Sequence, residues 1–406
     1  MLFIPLLKII IILKQKLLVI LFLGFALFGF SQYTAIPDAN FEQALIDLGY
    51  DTTIDGQVLT ANISSLTSLD VESKNIADLT GIEDFTALTF LRCNNNQLTS
   101  IDVSNNTALT ILYCHINQLT SLDVTVNTAL TELVCRDNLL TSLDVTTNTA
   151  LTYLNCMTNQ LTSLNVSNNT ALDHLQCTTN QLTSLDVSSN TALTILSCSS
   201  NQLTSLDVST NTALTSLNCH SNQFSNLDVS ANTALIVFDC TNNTQLTSLD
   251  VSSNTALAYL YCHTNLLTSL DVRNGNNTGF FHFEAQNNPN LTCILVDDAA
   301  YSTTNWTNVD TASTFVNNET ECTALLSVED NTFELGVSIY PNPTDRYLFI
   351  EGNENPLSIS IYNLLGKKVL SAKDTKEVDV KGLSNGVYMI KITDGLIQAH
   401  KKFVKN

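Results

Sequence analysis

Basic side chains are scarce throughout the chain and almost missing from its middle. Over 406 residues 17 Lys and Arg stand against 38 Asp and Glu, and between residues 32 and 326 only four bases face 28 acids. A surface so acidic repels phosphate backbones and anionic headgroups, so nucleic acid is excluded as a partner, and a membrane is met only during export. No apolar run is long enough to anchor the chain. The stretch from Leu17 to Phe30 is 14 residues without interruption, short of the about 20 a spanning helix needs. Also lacking are an HExxH zinc motif, a Gly-rich phosphate loop, and a nucleophile beside a base. No enzyme, cofactor or metal site is therefore expected.

What is present begins with an export signal. Lys14 and Lys16 precede the apolar run, and Gly29 and Ser31 place small residues before a cut ahead of Gln32, so residues 1–31 read as a secretory signal peptide.

Periodicity dominates the middle. Cys93, Cys114, Cys135, Cys156, Cys177, Cys198, Cys219 and Cys240 recur every 21 residues and Cys262 follows after 22, which means a solenoid. Each unit reads as in Leu109-Thr-Ile-Leu112-Tyr-Cys114-His-Ile-Asn117-Gln-Leu119, followed by a second half, Leu119-Thr-Ser-Leu122-Asp-Val124-Ser-Val-Asn127 in idealised form, with Thr125 standing at the Ser position. Apolar and polar residues alternate in both halves, so both are expected to be extended, with Leu, Cys and Val inward. At about 4.8 Å per coil, nine coils span roughly 40 Å. The Asn after each Cys, from Asn96 and Asn117 through Asn265, and a second series from Asn106 through Asn254, are expected to turn inward and bond backbone groups at the bends.

The LxxLxCxxNxL pattern resembles the leucine-rich repeat, with Cys where a third Leu is usual. The resemblance implies a mainly β protein: a leucine-rich-repeat solenoid of 21-residue repeats and parallel strands. The domain reading is a signal peptide over 1–31, an N-terminal cap and first degenerate repeat over 32–85, the solenoid over 86–273, and a C-terminal cap over 274–326. Ile36 to Leu48 has apolar residues at helical spacing, with Asp38 or Asn40 as N-cap, and is expected to lid the first coil.

Eleven cysteines in an exported chain suggest disulfides. In-register neighbours on parallel strands stay near the strand spacing, too far for a bridge, so the nine periodic cysteines read as buried thiols. A single file does not converge on a metal either. Cys293 and Cys322 break the period, flank a stretch containing Trp306, and are expected to be disulfide-bonded; that stretch resembles the closing segment of bacterial secreted leucine-rich-repeat proteins.

From about Ser327 the repeat ends and Lys returns. Short alternating strands suggest a small β-sandwich over 327–406. Tyr340-Pro341-Asn342-Pro343, then Ile361-Tyr-Asn-Leu-Leu-Gly366-Lys367, then Leu383-Ser-Asn-Gly386-Val387-Tyr388 resemble the type A sorting domain of type IX secretion. That resemblance implies the type IX machinery as partner, export across the outer membrane of a Gram-negative cell, and a secreted or surface-held product.

The two sides of the coil differ in how they vary. The Leu-Thr-Ser-Leu-Asp-Val side is nearly constant, with an Asp column from Asp102 to Asp271 interrupted by Asn165, read as a solvated face. The Cys-bearing side changes from coil to coil: Phe90, Arg92, Tyr113, His115, Arg136, Tyr153, His174, His220, Tyr259, Tyr261 and His263. That mixture suits an unknown protein or polysaccharide ligand. The expected function is binding or adhesion at the cell surface; the alternative is a structural spacer without a specific ligand. His220 and His263 share a column two coils apart, roughly 10 Å, which is too wide for joint chemistry, and Glu284, Asp297 and Asp298 read as structural.

Overall fold

The computed structural model of the protein describes residues 32–326, 337–352, 357–393 and 398–406. The expected signal peptide, 1–31, and the start of the expected sorting domain, 327–336, lie outside them. The chain divides into one compact unit ending at Asn317 and another beginning at Asn318.

In the first unit the alternation within each repeat becomes a three-residue strand. Leu112 and Cys114 are fully buried while Ile111 and Tyr113 lie half-buried on the other side. Leu119, Val124 and Leu130 complete the coil's interior, and each buried Leu contributes about 1.5–3 kcal/mol. Eleven such strands form one parallel sheet. They run from Ser68–Asp70 and Phe90–Arg92 through Ile111–Tyr113, Glu132–Val134, Tyr153–Asn155, His174–Gln176, Ile195–Ser197, Ser216–Asn218 and Val237–Asp239 to Tyr259–Tyr261 and His282–Glu284. Register is strict: Leu112 pairs with Leu133 and Leu133 with Leu154.

Strand pairing on the other side of the coil is confined to one end. Ser248–Asp250, Ser269–Asp271, Cys293–Leu295 and Thr314–Val316 form a four-stranded parallel sheet, whereas the second halves of the earlier repeats, expected to be strand-like, carry none. There side chains take the backbone groups instead. Asp123 Oδ1 accepts from Thr125 N (2.9 Å) and Asn127 Nδ2 donates to Val103 O (3.0 Å). Both parallel sheets also continue past residue 273, so the stretch 274–326 adds coil strands as well as a cap.

Two asparagine series hold the bends. Asn117 Nδ2 donates to Cys93 O (3.1 Å) and Cys114 O (3.0 Å), and its Oδ1 accepts from Leu98 N (3.0 Å). The second series is paired on one side only: Asn127 Nδ2 donates to Val103 O and Asn106 O, while its buried Oδ1 accepts nothing among the described residues. The residue before each Asn of the first series is left-handed, including Ile116 (φ 55°) and Thr158 (φ 52°).

At the N-terminus the helix Ala39–Asp47 is capped by Asp38, whose Oδ1 accepts from Asn40 N (2.8 Å) and Phe41 N (3.1 Å). Its Oδ2 accepts from Ala77 N and Asp78 N. Burial raises the Asp38 pKa, but the four N–H donors outweigh it and hold the carboxyl below its ordinary value. Buried Glu42 ties the following loop by accepting from Asp55 N (2.8 Å), Gly56 N (2.7 Å) and Gln57 N (3.1 Å). At the far end Trp306 stacks on Phe283 at 4.2 Å and meets Phe315 at 5.7 Å. Cys293 and Cys322 are disulfide-bonded, and the nine ladder cysteines are free and buried.

The second unit contains a three-stranded antiparallel sheet, Ser338–Tyr340, Tyr347–Glu351 and Glu377–Asp379. Its partner is four-stranded: Lys368–Lys373, Ser358–Asn363, Gly386–Thr393 and Gln398–Lys405. Leu348, Ile350 and Val378 from the first sheet share a core with Ile359, Ile390 and Phe403 from the second, which makes a small sandwich.

Candidate functional site

The strict register turns a sequence column into a surface row. All eleven residues expected on the variable face are half-buried, with their inner neighbours filling the core. All but His220 gather into two groups. Near the N-terminal end, Phe90 and Tyr113 meet edge to face at 5.8 Å, and the Arg92 guanidinium lies 5.9 Å from the Phe90 ring centre and 5.8 Å from that of Tyr113. Arg92 also pairs with Asp70 (3.3 Å) and Glu72 (3.4 Å). The Tyr113 hydroxyl donates to Glu132 Oε2 at 2.6 Å, and this bond, with burial behind it, pushes the phenol pKa up to about 12. His115 sits beside Tyr113; burial, aided by Arg136, lowers its pKa and favours the neutral ring. Arg136 pairs with Asp137. Tyr153 and His174 pack at 5.7 Å, and His174 Nδ1 lies 3.0 Å from Asp173.

The middle of the face is plain, with Ile195, Ser197, Ser216 and Asn218 on successive strands and His220 bonded to Ser221 (3.0 Å). The second group lies at the C-terminal end. Tyr259 and Tyr261 are joined by Phe281, which stacks on Tyr259 at 5.6 Å, and by His282, which meets Tyr261 edge-on at 5.5 Å. Glu284 stands between His263 Nε2 (3.7 Å) and His282 Nε2 (3.6 Å). Phe281, His282 and the outward placing of Glu284 were missed in the sequence. Ala285 replaces Cys and the spacing from Cys262 stretches to 23 residues, so the coil is hidden. Its signal is the Asn: Asn288 Nδ2 donates to Cys262 O (3.0 Å) and Ala285 O (2.9 Å), as the periodic asparagines do. Asp297 accepts from Gly275 N and Asn277 N, and Asp298 caps the helix Ala299–Asn305.

The constant side carries the Asp column. Each carboxylate from Asp102 to Asp228 accepts from the backbone N–H two residues on, and bonds from the following Ser or Thr lower its pKa. Among the described residues no group of three His, Cys, Asp or Glu side chains is arranged to hold a metal ion, and no helix is long and apolar enough to cross a membrane.

In the second unit the motif residues fall in two places. Tyr340 stacks on Phe349 at 5.7 Å. Within Pro341-Asn342-Pro343, the Asn342 side chain accepts from Val404 N (2.9 Å) and donates to Lys402 O (3.1 Å). Gly386, Val387 and Tyr388 pair with Lys405, Val404 and Phe403 of the same final strand. Gly366 (φ +72°) and Lys367 lie apart, in a hairpin turn where Asn363 Oδ1 accepts from Leu365 N and Lys367 N.

Residues 338–406 match the family described as the secretion system C-terminal sorting domain. Among solved structures, the functional domain of InlJ from Listeria monocytogenes, described as including a cysteine ladder, is similar with a TM-score of 0.56 and 28% identity, over 93% of this chain and 99% of that one. An internalin, inlF, from Listeria monocytogenes strain 4b F2365 aligns with a TM-score of 0.47 and 21% identity, over 70% of this chain and 96% of that one. Internalin J of Listeria monocytogenes serotype 4b (strain F2365) is 46% identical over 70 residues, 17% of this chain; the match spans 8% of that protein's length.

Proposed function

On the premise of a leucine-rich-repeat solenoid that carries a type IX sorting domain at its C-terminus, we propose that this is an exported recognition protein. It acts at the outer surface of a Gram-negative cell or after release from it, and binds a protein or polysaccharide through the variable face. The observation that carries this reading is the contrast between the two sides of one coil. Eleven strands in strict register present a changing set of outward side chains, with Tyr, Phe, His and Arg grouped toward the two ends, while the opposite side repeats a single pattern. A purely structural solenoid needs only the buried positions to be kept, so clustered aromatics on one face are what recognition adds. We assign no catalysis.

The test is binding of the purified chain to a panel of matrix proteins and polysaccharides, beside a variant with Tyr113, Tyr153, Tyr259 and Tyr261 changed to Ser. Binding that the variant loses, at unchanged thermal stability, supports the reading. A uniformly negative panel transfers the weight to a surface spacer.

A further inference from the structure

The two ends of the eleven-stranded sheet are built from the same parts, except for one. At the N-terminal end, Asp70, Arg92 and Tyr113 are successive partners along one row, and the Arg92 guanidinium rests against the Phe90 and Tyr113 rings with its charge met by Asp70 and Glu72. At the C-terminal end the same row reads Asp239, Tyr261, Glu284. Tyr261 is flanked by a carboxylate on each side, and the stacked pair of Tyr259 and Phe281 stands beside it. Here the aromatic rings and both acids are present, but no Arg or Lys of the described chain lies over them. Glu284 Oε2 accepts one long bond from Gln286 Nε2 (3.4 Å) and the two imidazoles stand at 3.6 and 3.7 Å, beyond hydrogen-bond reach, so a carboxylate with two oxygens keeps acceptor capacity. Phe281 is 78% exposed, an unusual exposure for a Phe whose other face is already stacked.

The charge of the whole unit points the same way. All four bases between residues 32 and 326 are already engaged with acids: Lys74 with Asp47, Arg92 with Asp70 and Glu72, Arg136 with Asp137, and Arg273 with Asp271. The solenoid offers an anionic ligand no unengaged cation and offers a cationic one a large surplus of carboxylates. Rings flanked by carboxylates bind cations through the ring quadrupole and direct charge pairing together.

We infer that the end of the sheet formed by Tyr259, Tyr261, Phe281 and Glu284, with Asp239, is a binding site for an arginine or lysine side chain of a partner protein. The site does from outside what Arg92 does for Phe90 and Tyr113 from within. This rests on the reading of the variable face as a recognition surface and names the class of partner it takes.

The test is calorimetric titration of the purified chain with an N-acetylated, C-amidated tri-arginine peptide and with its tri-citrulline counterpart, which keeps the side chain's shape but replaces the charged guanidinium with a neutral urea. The arginine peptide binds and the citrulline peptide does not. Phe281→Ser, a change at an exposed ring that leaves the core intact, weakens binding about fivefold, as does Glu284→Gln, while Asp207→Asn on the opposite side leaves it unchanged. Equal binding of the two peptides overturns the proposal. So does arginine-peptide binding that survives the Phe281→Ser, Glu284→Gln double variant, which would mark it as general attraction to an acidic protein. An arginine peptide that fails to bind, while Tyr113 and Tyr153 still govern binding to a panel partner, removes this site and leaves the recognition reading standing.

Discussion

Asn180 and Asn190 show how much one side chain does in a repeated fold. Asn180 donates to Cys156 O and Cys177 O (3.0 Å each) and accepts from Leu161 N (3.0 Å), while Asn190 donates to Val166 O and Asn169 O and accepts nothing among the described residues. Removing a side chain that serves three buried backbone groups strands one group more than removing one that serves two. Asn180→Ala is therefore expected to destabilise by about 1 kcal/mol more than Asn190→Ala, measured by denaturant unfolding of each variant. Ile116 presents the opposite case. It is β-branched, left-handed (φ 55°) and 41% exposed, so Ile116→Asn removes backbone strain at little packing loss. A stabilisation of about 1 kcal/mol is expected, seen as a raised thermal midpoint; a lowered midpoint would show that the Ile side chain contributes more than its backbone costs. The inward turn of the first Asn series was legible because it recurs at one offset from Cys. The one-sided pairing of the second series was not, since sequence spacing says nothing about which amide atom finds a partner.

The cysteine ladder is the element whose chemistry is most fully set by burial. Desolvation pushes the Cys93, Cys156 and Cys198 thiols up to about 12 and raises the others, so thiolate is negligible at neutral pH. Native protein is expected to show no reaction of the nine free cysteines with a thiol reagent, and all nine to react once unfolded; fast labelling of one before the rest would locate a weak coil. The Asp column gives the solenoid a pH dependence of definite sign. Hydroxyl and N–H donors hold Asp123 and Asp144 below the ordinary 3.8, so their contribution is fully present above that value. It is lost as the pH falls through the lowered values. The thermal midpoint is expected to drop on acidification below 3.8 and to drop less in Asp144→Asn. Legibility was uneven at this scale. The main sheet followed from the Leu and Cys alternation, but strand pairing on the other side could not be read, because Asp and Asn side chains compete there for the groups a ladder would use.

In the whole molecule, a surplus of acids and a strict strand register meet on one solenoid. The split into a repeat unit and a Lys-bearing sandwich was visible as a change of composition, and the sorting motifs were visible as short blocks, two of which, at Asn342 and at Gly386 to Tyr388, the fold then set against one final strand. The C-terminal end of the proposed recognition face was hidden, because Ala285 interrupts the cysteine period where Phe281, His282 and Glu284 join the sheet. The account's central claim is that one side of the coil recognises while the other supports. Its most direct test is binding of the purified chain to an immobilised partner from the protein and polysaccharide panel, comparing a variant with Tyr113, Tyr153, Tyr259 and Tyr261 changed to Ser with one in which Asp123, Asp144, Asp186 and Asp207 are changed to Asn. The expected result is loss of binding in the first with its thermal midpoint retained, and full binding in the second with altered acid stability. Binding that survives the tyrosine changes and disappears with the aspartates would contradict the account and place recognition on the constant side.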